Sequence, residues 1–313
     1  MQQGKTFFVY RIIALVAIFC AALLELHAVR MADGMAAIGL AVTPTIPLGE
    51  QPRTVVSPPV ITAHAYFVQI LGDAQPLAEQ RADKQLPPAS LTKILTAVVS
   101  MEELTPDAVI VFSPDAKNVE EKTSPAKAGD GFLRDDMIRL MLIDSANDAA
   151  RALAEAVGRK RGGRTFDEAV SIFELVMNQK AAEIGMDSSS FQNPNGLDAE
   201  HHLMSARDLY RLMQFTFDRY PQIWEMTRTI ETPISTVMGQ VYQAHTTDEL
   251  LPEFPALAGG KTGFTDNAGQ SLILLYRLGN GKVAAVVLLR SQDRFEDGRK
   301  VIHWLEENYG SIR

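Results

Sequence analysis

The chain has 313 residues, 46% of them hydrophobic, enough for one large domain or two small ones with a buried core, and this excludes a disordered chain. Its formal charge of −8, with 30 Lys and Arg that never gather into a patch, excludes a nucleic-acid surface. The single cysteine, Cys20, lies in an N-terminal apolar run, so no disulfide can form, and removal of that run would leave no thiol for catalysis.

In chain order, Lys5 and Arg11 precede an unbroken apolar run from Ile12 to Leu24, closed by Glu25. The run is short for a bilayer-spanning helix and has the form of an export signal, so residues 1–28 are expected to be a signal peptide or a retained N-terminal membrane anchor. Phe19, directly before Cys20, is too large for a lipidation site, and Cys20 is read as apolar filler. Five prolines between Pro44 and Pro59 predict an extended tether over residues 29–60, with the folded domain over 61–313. Residues 65–71 read as a strand ended by Gly72-Asp73, and Pro76 to Gln80 as part of a second short strand.

The pattern then becomes helical. Ser90 to Leu104 carries Ile94, Leu95, Val98 and Met101 on one face, and Leu133–Ile143 and Asn147–Val157 follow, the latter stopped by Gly158. A longer helix starts at the N-cap Thr165 and ends at Gly185, and Ser205 caps another over 205–215. Strands return at 271–278 and 282–290, joined by Gly279-Asn280-Gly281, before a closing helix from Phe295 to Tyr309. Strands at both chain ends around a helical middle, about 105–245, predict an α+β fold whose ends share one sheet covered by helices on both faces. After Gly263 the sequence has room for a hairpin and one helix only, so no additional C-terminal domain is expected.

Two S-x-x-K tetrads occur, Ser90–Lys93 and Ser124–Lys127. On a helix, residues i and i+3 share a face, which would set the Ser90 hydroxyl beside the Lys93 amine at a helix start with free backbone N–H groups. Such a serine can be activated by the amine and can lend its own N–H to an oxyanion. Ser124 is followed by Pro125, Gly129 and Gly131, which break any helix, so this copy is assigned to a loop. Downstream of Ser90, Ser145-Ala146-Asn147 forms an S-x-N between two helices, and Lys261-Thr262-Gly263 forms a K-T-G entering the C-terminal strands. Taken singly, Asn147 is equally a helix cap and Gly263 equally a bulge.

This ordered motif set resembles that of the low-molecular-mass penicillin-binding proteins, the serine-type D-alanyl-D-alanine carboxypeptidases. The likeness extends through "PASLTKILTA", "DSANDAARALAEAVG", "AAEIGMDSSSFQNPNGLD", "MSARDLYRLM", "GGKTGFTDNAG" and "RFEDGRKVI", covering roughly residues 61–310. It implies a penicillin-binding protein/β-lactamase-like transpeptidase fold, with an antiparallel sheet from both chain ends, flanking helices and an inserted helical subdomain. It also implies that Ser90 attacks a D-Ala-D-Ala carbonyl, that Lys93, neutralised by burial and by Lys261, is the base, and that Ser145 relays a proton to the leaving amine. Asn147, Lys261, Thr262, Gly263, Phe264 and Arg294 would bind substrate, with the N–H groups of Ser90 and Phe264 as the oxyanion hole. Gly263 would admit the substrate backbone. The implied partners are peptidoglycan stem peptides and β-lactam antibiotics as covalent inhibitors, with no metal and no cofactor. The implied location is the periplasm or the outer face of the bacterial cytoplasmic membrane.

Other chemistries fit the same residues less well. The six histidines form no H-E-x-x-H, and His201-His202 sits in a turn-like segment, which disfavours a zinc peptidase. No G-x-S-x-G is present for an α/β-hydrolase. Glu174 to Asn178 reads "ELVMN", near the spacing of a class A β-lactamase, but mid-helix, so Glu174 and Asn178 are expected to be surface partners at i, i+4. A D,D-endopeptidase would use the same residues as the carboxypeptidase, and an inactive cell-wall peptide-binding module would not need Ser90 and Lys93 intact.

Overall fold

The computed structural model describes residues 56–310. The expected export signal, Cys20 and most of the expected tether lie outside the described residues. The described end of that tether is docked: Trp304 Nε1 donates to Ser57 O at 2.9 Å, and Val56 and Ile61 pack against an apolar cluster. Burial of these side chains extends the packed domain from the expected Ile61 back to Val56.

The chain opens with β1 (Ala65–Ile70) and β2 (Ala78–Gln80), then a 3-10 turn (Ala89–Thr92) that runs into α1 (Lys93–Glu103). Next come β3 (Val109–Val111), α2 (Pro114–Lys117), β4 (Gly131–Leu133), α3 (Arg134–Ile143) and α4 (Asn147–Lys160). The middle continues with α5 (Phe166–Ile184), α6 (Ala206–Arg219), α7 (Pro221–Thr227) and the hairpin β5 (Glu231–Ser235) and β6 (Val241–His245). The chain closes with β7 (Leu257–Thr265), β8 (Gly269–Arg277), β9 (Val283–Ser291) and α8 (Arg294–Tyr309).

Five strands form one antiparallel sheet in the order β2-β1-β9-β8-β7, so the two chain ends meet in the pairing of β1 with β9. Side chains alternate between two cores. Phe67, Ile273, Leu275, Val287 and Leu289 join the core of the helical part, whereas Tyr66, Val68, Leu272, Leu274, Val286 and Leu288 pack with Val301, Ile302 and Leu305 of α8. Both faces being covered explains the nearly continuous apolar runs of β8 and β9. Strand β7 is an edge of this sheet.

Helix α5 has the expected Thr165 cap, strengthened by Glu168 into a capping box, and ends at Gly185 with φ of 81°. Gly158 does not end its helix. Helix α4 continues to Lys160, and a Cβ on Gly158 would lie 2.0 Å from Ala169 O of α5. The glycine is there for close helix packing. The small hairpins β3-β4 and β5-β6 fall inside the part expected to be mostly helical.

The expected surface pairing of Glu174 with Asn178 is also not observed. Asn178 Nδ2 donates to the backbone carbonyls of Glu174 and Phe191, both at 2.8 Å, and its Oδ1 accepts from Phe191 N at 3.0 Å. Asn178 thus holds the segment after α5, while burial pushes the Glu174 carboxyl up to about 7. Among the described residues no helix is long and apolar enough to cross a membrane.

Candidate active site

Three elements supply the site: the 3-10 turn leading into α1, the α3–α4 junction, and edge strand β7. Side chains three apart eclipse in a 3-10 turn, and this turn sets Ser90 under Lys93 with Lys93 Nζ 2.7 Å from Ser90 Oγ. Ala89, just before Ser90, has a left-handed φ of 51°, and Ser145 has φ of 61°. Both are non-glycine residues in strained conformations beside the reactive groups.

Lys93 is fully buried, and its Nζ also meets Asn147 Oδ1 at 2.8 Å and Asn195 O at 2.7 Å. These two oxygens only accept, so a neutral amine would use both its N–H bonds on them and turn its lone pair to the Ser90 hydroxyl. Burial, then the charges of Lys261 and Lys122, hold the amine well below the ordinary lysine range, against the opposing pull of Asp148. Asn147 is the first residue of α4, but it does not cap that helix. Its Nδ2 donates to the carbonyls of Glu120 and Glu121 at 3.3 and 3.2 Å, which leaves Oδ1 for Lys93.

Lys261 is also buried, donating to Ser145 Oγ and to Thr262 O, both at 2.9 Å. Burial, then Arg294 and Lys122, push its amine down to about 7, while Asp248 pulls the other way. Thr262 Oγ1 lies 2.6 Å from Thr247 Oγ1. Gly263 is not a bulge: the β7–β8 register runs unbroken from Gly259 to Thr265. A Cβ there would sit 2.9 Å from Pro88 O and 3.2 Å from Ala89 Cβ, so the glycine lets the Ser90 turn close against β7. The next side chain, Phe264, is 56% exposed. Arg294 opens α8 and donates from Nη1 to Gly263 O at 3.0 Å. All nine expected site residues therefore lie on the turn, the junction, β7 or the start of α8.

The family model for D-alanyl-D-alanine carboxypeptidase matches residues 53–291. The chain belongs to that family. Among curated relatives, D-alanyl-D-alanine carboxypeptidase DacF of Bacillus subtilis is 30% identical over 67% of this chain and 53% of its own length. DacC of Escherichia coli is 28% identical over 80% of this chain and 62% of its own, so the chain spans between half and two thirds of these two carboxypeptidases. The D-alanyl-D-alanine endopeptidase of Escherichia coli is 27% identical over 81% of this chain and 80% of its own. Among solved structures, the Streptomyces K15 DD-transpeptidase superposes with a TM-score of 0.74 at 23% identity, covering 80% of this chain and 98% of that one, a likeness of fold.

Within this family member the second S-x-x-K is a latch. Ser124 is buried, but its hydroxyl donates to Asp148 at 2.7 Å and its N–H also meets that carboxylate, at 3.0 Å. The lysine beside it is Lys117, 3.5 Å away, whereas Lys127 is exposed. The latch holds the segment whose carbonyls at Glu120 and Glu121 anchor Asn147. Sequence reasoning missed Asn195, whose backbone carbonyl is the third partner of Lys93, and Asp198, which accepts from Thr265 Oγ1 at 2.7 Å at the end of β7. The only local signal was the pair of turn dipeptides in Asn193-Pro194-Asn195-Gly196, which predicts a loop but not what it touches.

Proposed function

We propose that this protein is a serine-type D-Ala-D-Ala carboxypeptidase that removes the terminal D-Ala from peptidoglycan pentapeptides through an acyl-enzyme and is blocked by β-lactams. The observation that carries this is the partner set of Lys93: two acceptor-only oxygens and the Ser90 hydroxyl around a buried amine. Ser90 Oγ attacks the penultimate carbonyl carbon while its proton passes to Lys93 Nζ. The N–H groups of Ser90 and Phe264 receive the oxyanion. The C–N bond then breaks as Ser145, bonded to Lys261, hands its proton to the departing D-Ala nitrogen and regains one from the proton that Lys93 took, which returns Lys93 to its neutral form. Water adds to the ester, Lys93 again taking the proton and passing it to Ser90 Oγ as the ester C–O bond breaks; water is the only co-reactant.

Asn147 holds the substrate amide, and Lys261, Thr262 and Arg294 face its terminal carboxylate. The open edge of β7 gives an extended peptide a strand to lie along. The domain, packed from Val56 on and reached after an export signal or anchor at 1–28 and a tether, acts in the periplasm or on the outer face of the cytoplasmic membrane.

Protein lacking residues 1–28, treated with penicillin, should gain one adduct on the peptide containing Ser90, and Ser90→Ala should release no D-Ala from a pentapeptide. An adduct on Ser124, or activity that survives Ser90→Ala, refutes the assignment. A second activity, cleavage of cross-linked stem peptides, is supported by the match along 80% of the Escherichia coli endopeptidase. Comparing pentapeptide with cross-linked dimer as substrate separates the two. A class A β-lactamase finds no support in the placement of Glu174, which lies within α5, while Asn178 is bonded to the backbone of Glu174 and Phe191.

A further inference from the structure

The segment between Met186 and Met204 has no helix or strand of its own, yet it supports the Ser90 turn from several sides. Asn195 O meets Lys93, Pro194 O accepts from Thr96 Oγ1 at 2.6 Å, and Gly196 lies so close that a Cβ there would be 1.9 Å from Ala89 O. At the far end of the segment stands His202, 1% exposed, with its ring edge-on to Phe191. Nothing in the proposed chemistry uses it.

The polarity of its hydrogen bonds is fixed by its neighbours. The backbone N–H of Gln192 can only donate, and it points at His202 Nδ1 from 3.0 Å, so Nδ1 carries no proton. The proton of the neutral ring is therefore on Nε2, 2.8 Å from Thr92 Oγ1. The Thr92 hydroxyl lies 2.9 Å from Ala89 O, which can only accept, so the hydroxyl donates there and receives from the histidine. The chain runs one way: Gln192 N–H to Nδ1, Nε2–H to Thr92, Thr92 O–H to the Ala89 carbonyl.

That carbonyl shares a planar peptide unit with the N–H of Ser90, and in a trans peptide the two point in opposite directions. Fixing one fixes the other. We infer that His202 is a positioning residue, acting through Thr92 on the Ala89 carbonyl to aim the Ser90 N–H at the oxyanion. This rests on Ser90 being the nucleophile, as proposed above. It accounts for a neutral, fully bonded histidine in the core and for a left-handed alanine that local energetics alone would not choose.

The test uses Thr92→Val, which keeps the shape and removes the hydroxyl, together with His202→Phe and His202→Gln. Stopped-flow acylation by a fluorescent penicillin separates initial binding from the bond-forming step. Thr92→Val and His202→Phe should slow the bond-forming step about tenfold to a hundredfold, below the loss from removing an oxyanion donor outright, with initial binding unchanged. His202→Gln, whose amide N–H can replace Nε2–H, should recover most of that rate. A folded Thr92→Val protein with the wild-type bond-forming rate overturns the inference. If His202→Phe does not fold, Thr92→Val decides alone. Independently, long-range proton–nitrogen NMR of the wild-type protein should show His202 as the Nε2–H tautomer, and an Nδ1–H tautomer also overturns it. A wild-type protein that forms no Ser90 adduct would instead refute the proposed function, and the tautomer measurement tells the two failures apart.

Discussion

Gly196→Ala probes how tightly Ser90, the proposed nucleophile, is braced. The added methyl would sit 1.9 Å from Ala89 O and 2.9 Å from Ser90 N, whereas ordinary contacts begin at 3.4 Å, so about 1.5 Å of overlap must be relieved, and φ of 88° already disfavours any side chain. Left-handed strain together with overpacking sets a stability loss of about 2–4 kcal/mol, or roughly 5–15 °C in Tm for a domain of this size. Relief falls on the Ala89-Ser90 peptide, and a displacement of about 1 Å in a reacting group costs on the order of a hundredfold in rate. Gly158→Ala is the control. Its methyl would be 2.0 Å from Ala169 O, an equal clash, but between α4 and α5 and eleven residues along α4 from Asn147, about 16 Å at the helical rise. Both variants are compared by thermal melt and by the acylation rate of the folded protein with a fluorescent penicillin. Similar losses of Tm with slow acylation only in Gly196→Ala are expected. Acylation by Gly196→Ala within threefold of wild type, or an equal rate loss in Gly158→Ala, would refute the bracing.

Asp248→Asn removes the negative charge that opposes the fall of the Lys261 amine to about 7, so Lys261 should lose its proton at lower pH still. The alkaline limb of kcat/KM should move down in pH, and an unmoved limb argues against Lys261 acting as a cation. Ser124→Ala deletes a hydrogen bond to a buried carboxylate and should cost about 1.5–3 kcal/mol in a denaturant titration, while Lys127→Ala at an exposed site should change neither stability nor acylation. Acylation lost in Lys127→Ala would mean that the second tetrad is reactive after all. Burial, then the charge of Lys93, holds His202 at about 4 against 6.5 unfolded, so its contribution is complete above pH 6.5 and lost as pH falls through 4, about 3 kcal/mol at most. Stability measured across that window should fall more steeply for wild type than for His202→Gln, and parallel curves would refute the attribution.

What the sequence revealed depended on how local the cause was. The helix caps at Thr165 and Ser205, the Gly279-Asn280-Gly281 turn and the i, i+3 pairing of Ser90 with Lys93 are short-range physics, and each is found where expected. Gly158 misled because the reason for a glycine there is Ala169, a residue on the next helix. Asn195 stayed hidden for a related reason: the group that meets Lys93 is a backbone carbonyl, which every residue has, 102 positions away in the chain. Strands β3 to β6 are short, with apolar residues on their exposed faces, so neither length nor alternation announced them.

The two S-x-x-K tetrads show that burial and a nearby lysine do not by themselves distinguish Ser90, the proposed nucleophile, because Ser124 has both. The difference lies in which partner can accept the serine proton. Beside Ser124 the acceptor is Asp148, a carboxylate whose oxygens are already taken by Lys117 and two backbone N–H groups. Beside Ser90 the acceptor is an amine whose N–H bonds are both claimed by carbonyls, so accepting a proton is the one change open to it. Ser145 and Lys261 form a second pair around a buried amine, whose pKa burial, Arg294 and Lys122 lower and Asp248 raises. Both lysines are buried and each feels an opposing carboxylate, Asp148 for Lys93 and Asp248 for Lys261, and the charge of Lys261 lowers the Lys93 pKa further. A neutral Lys93 beside a charged Lys261 is what the proposed mechanism needs, a base and a cation for the substrate carboxylate in one cleft.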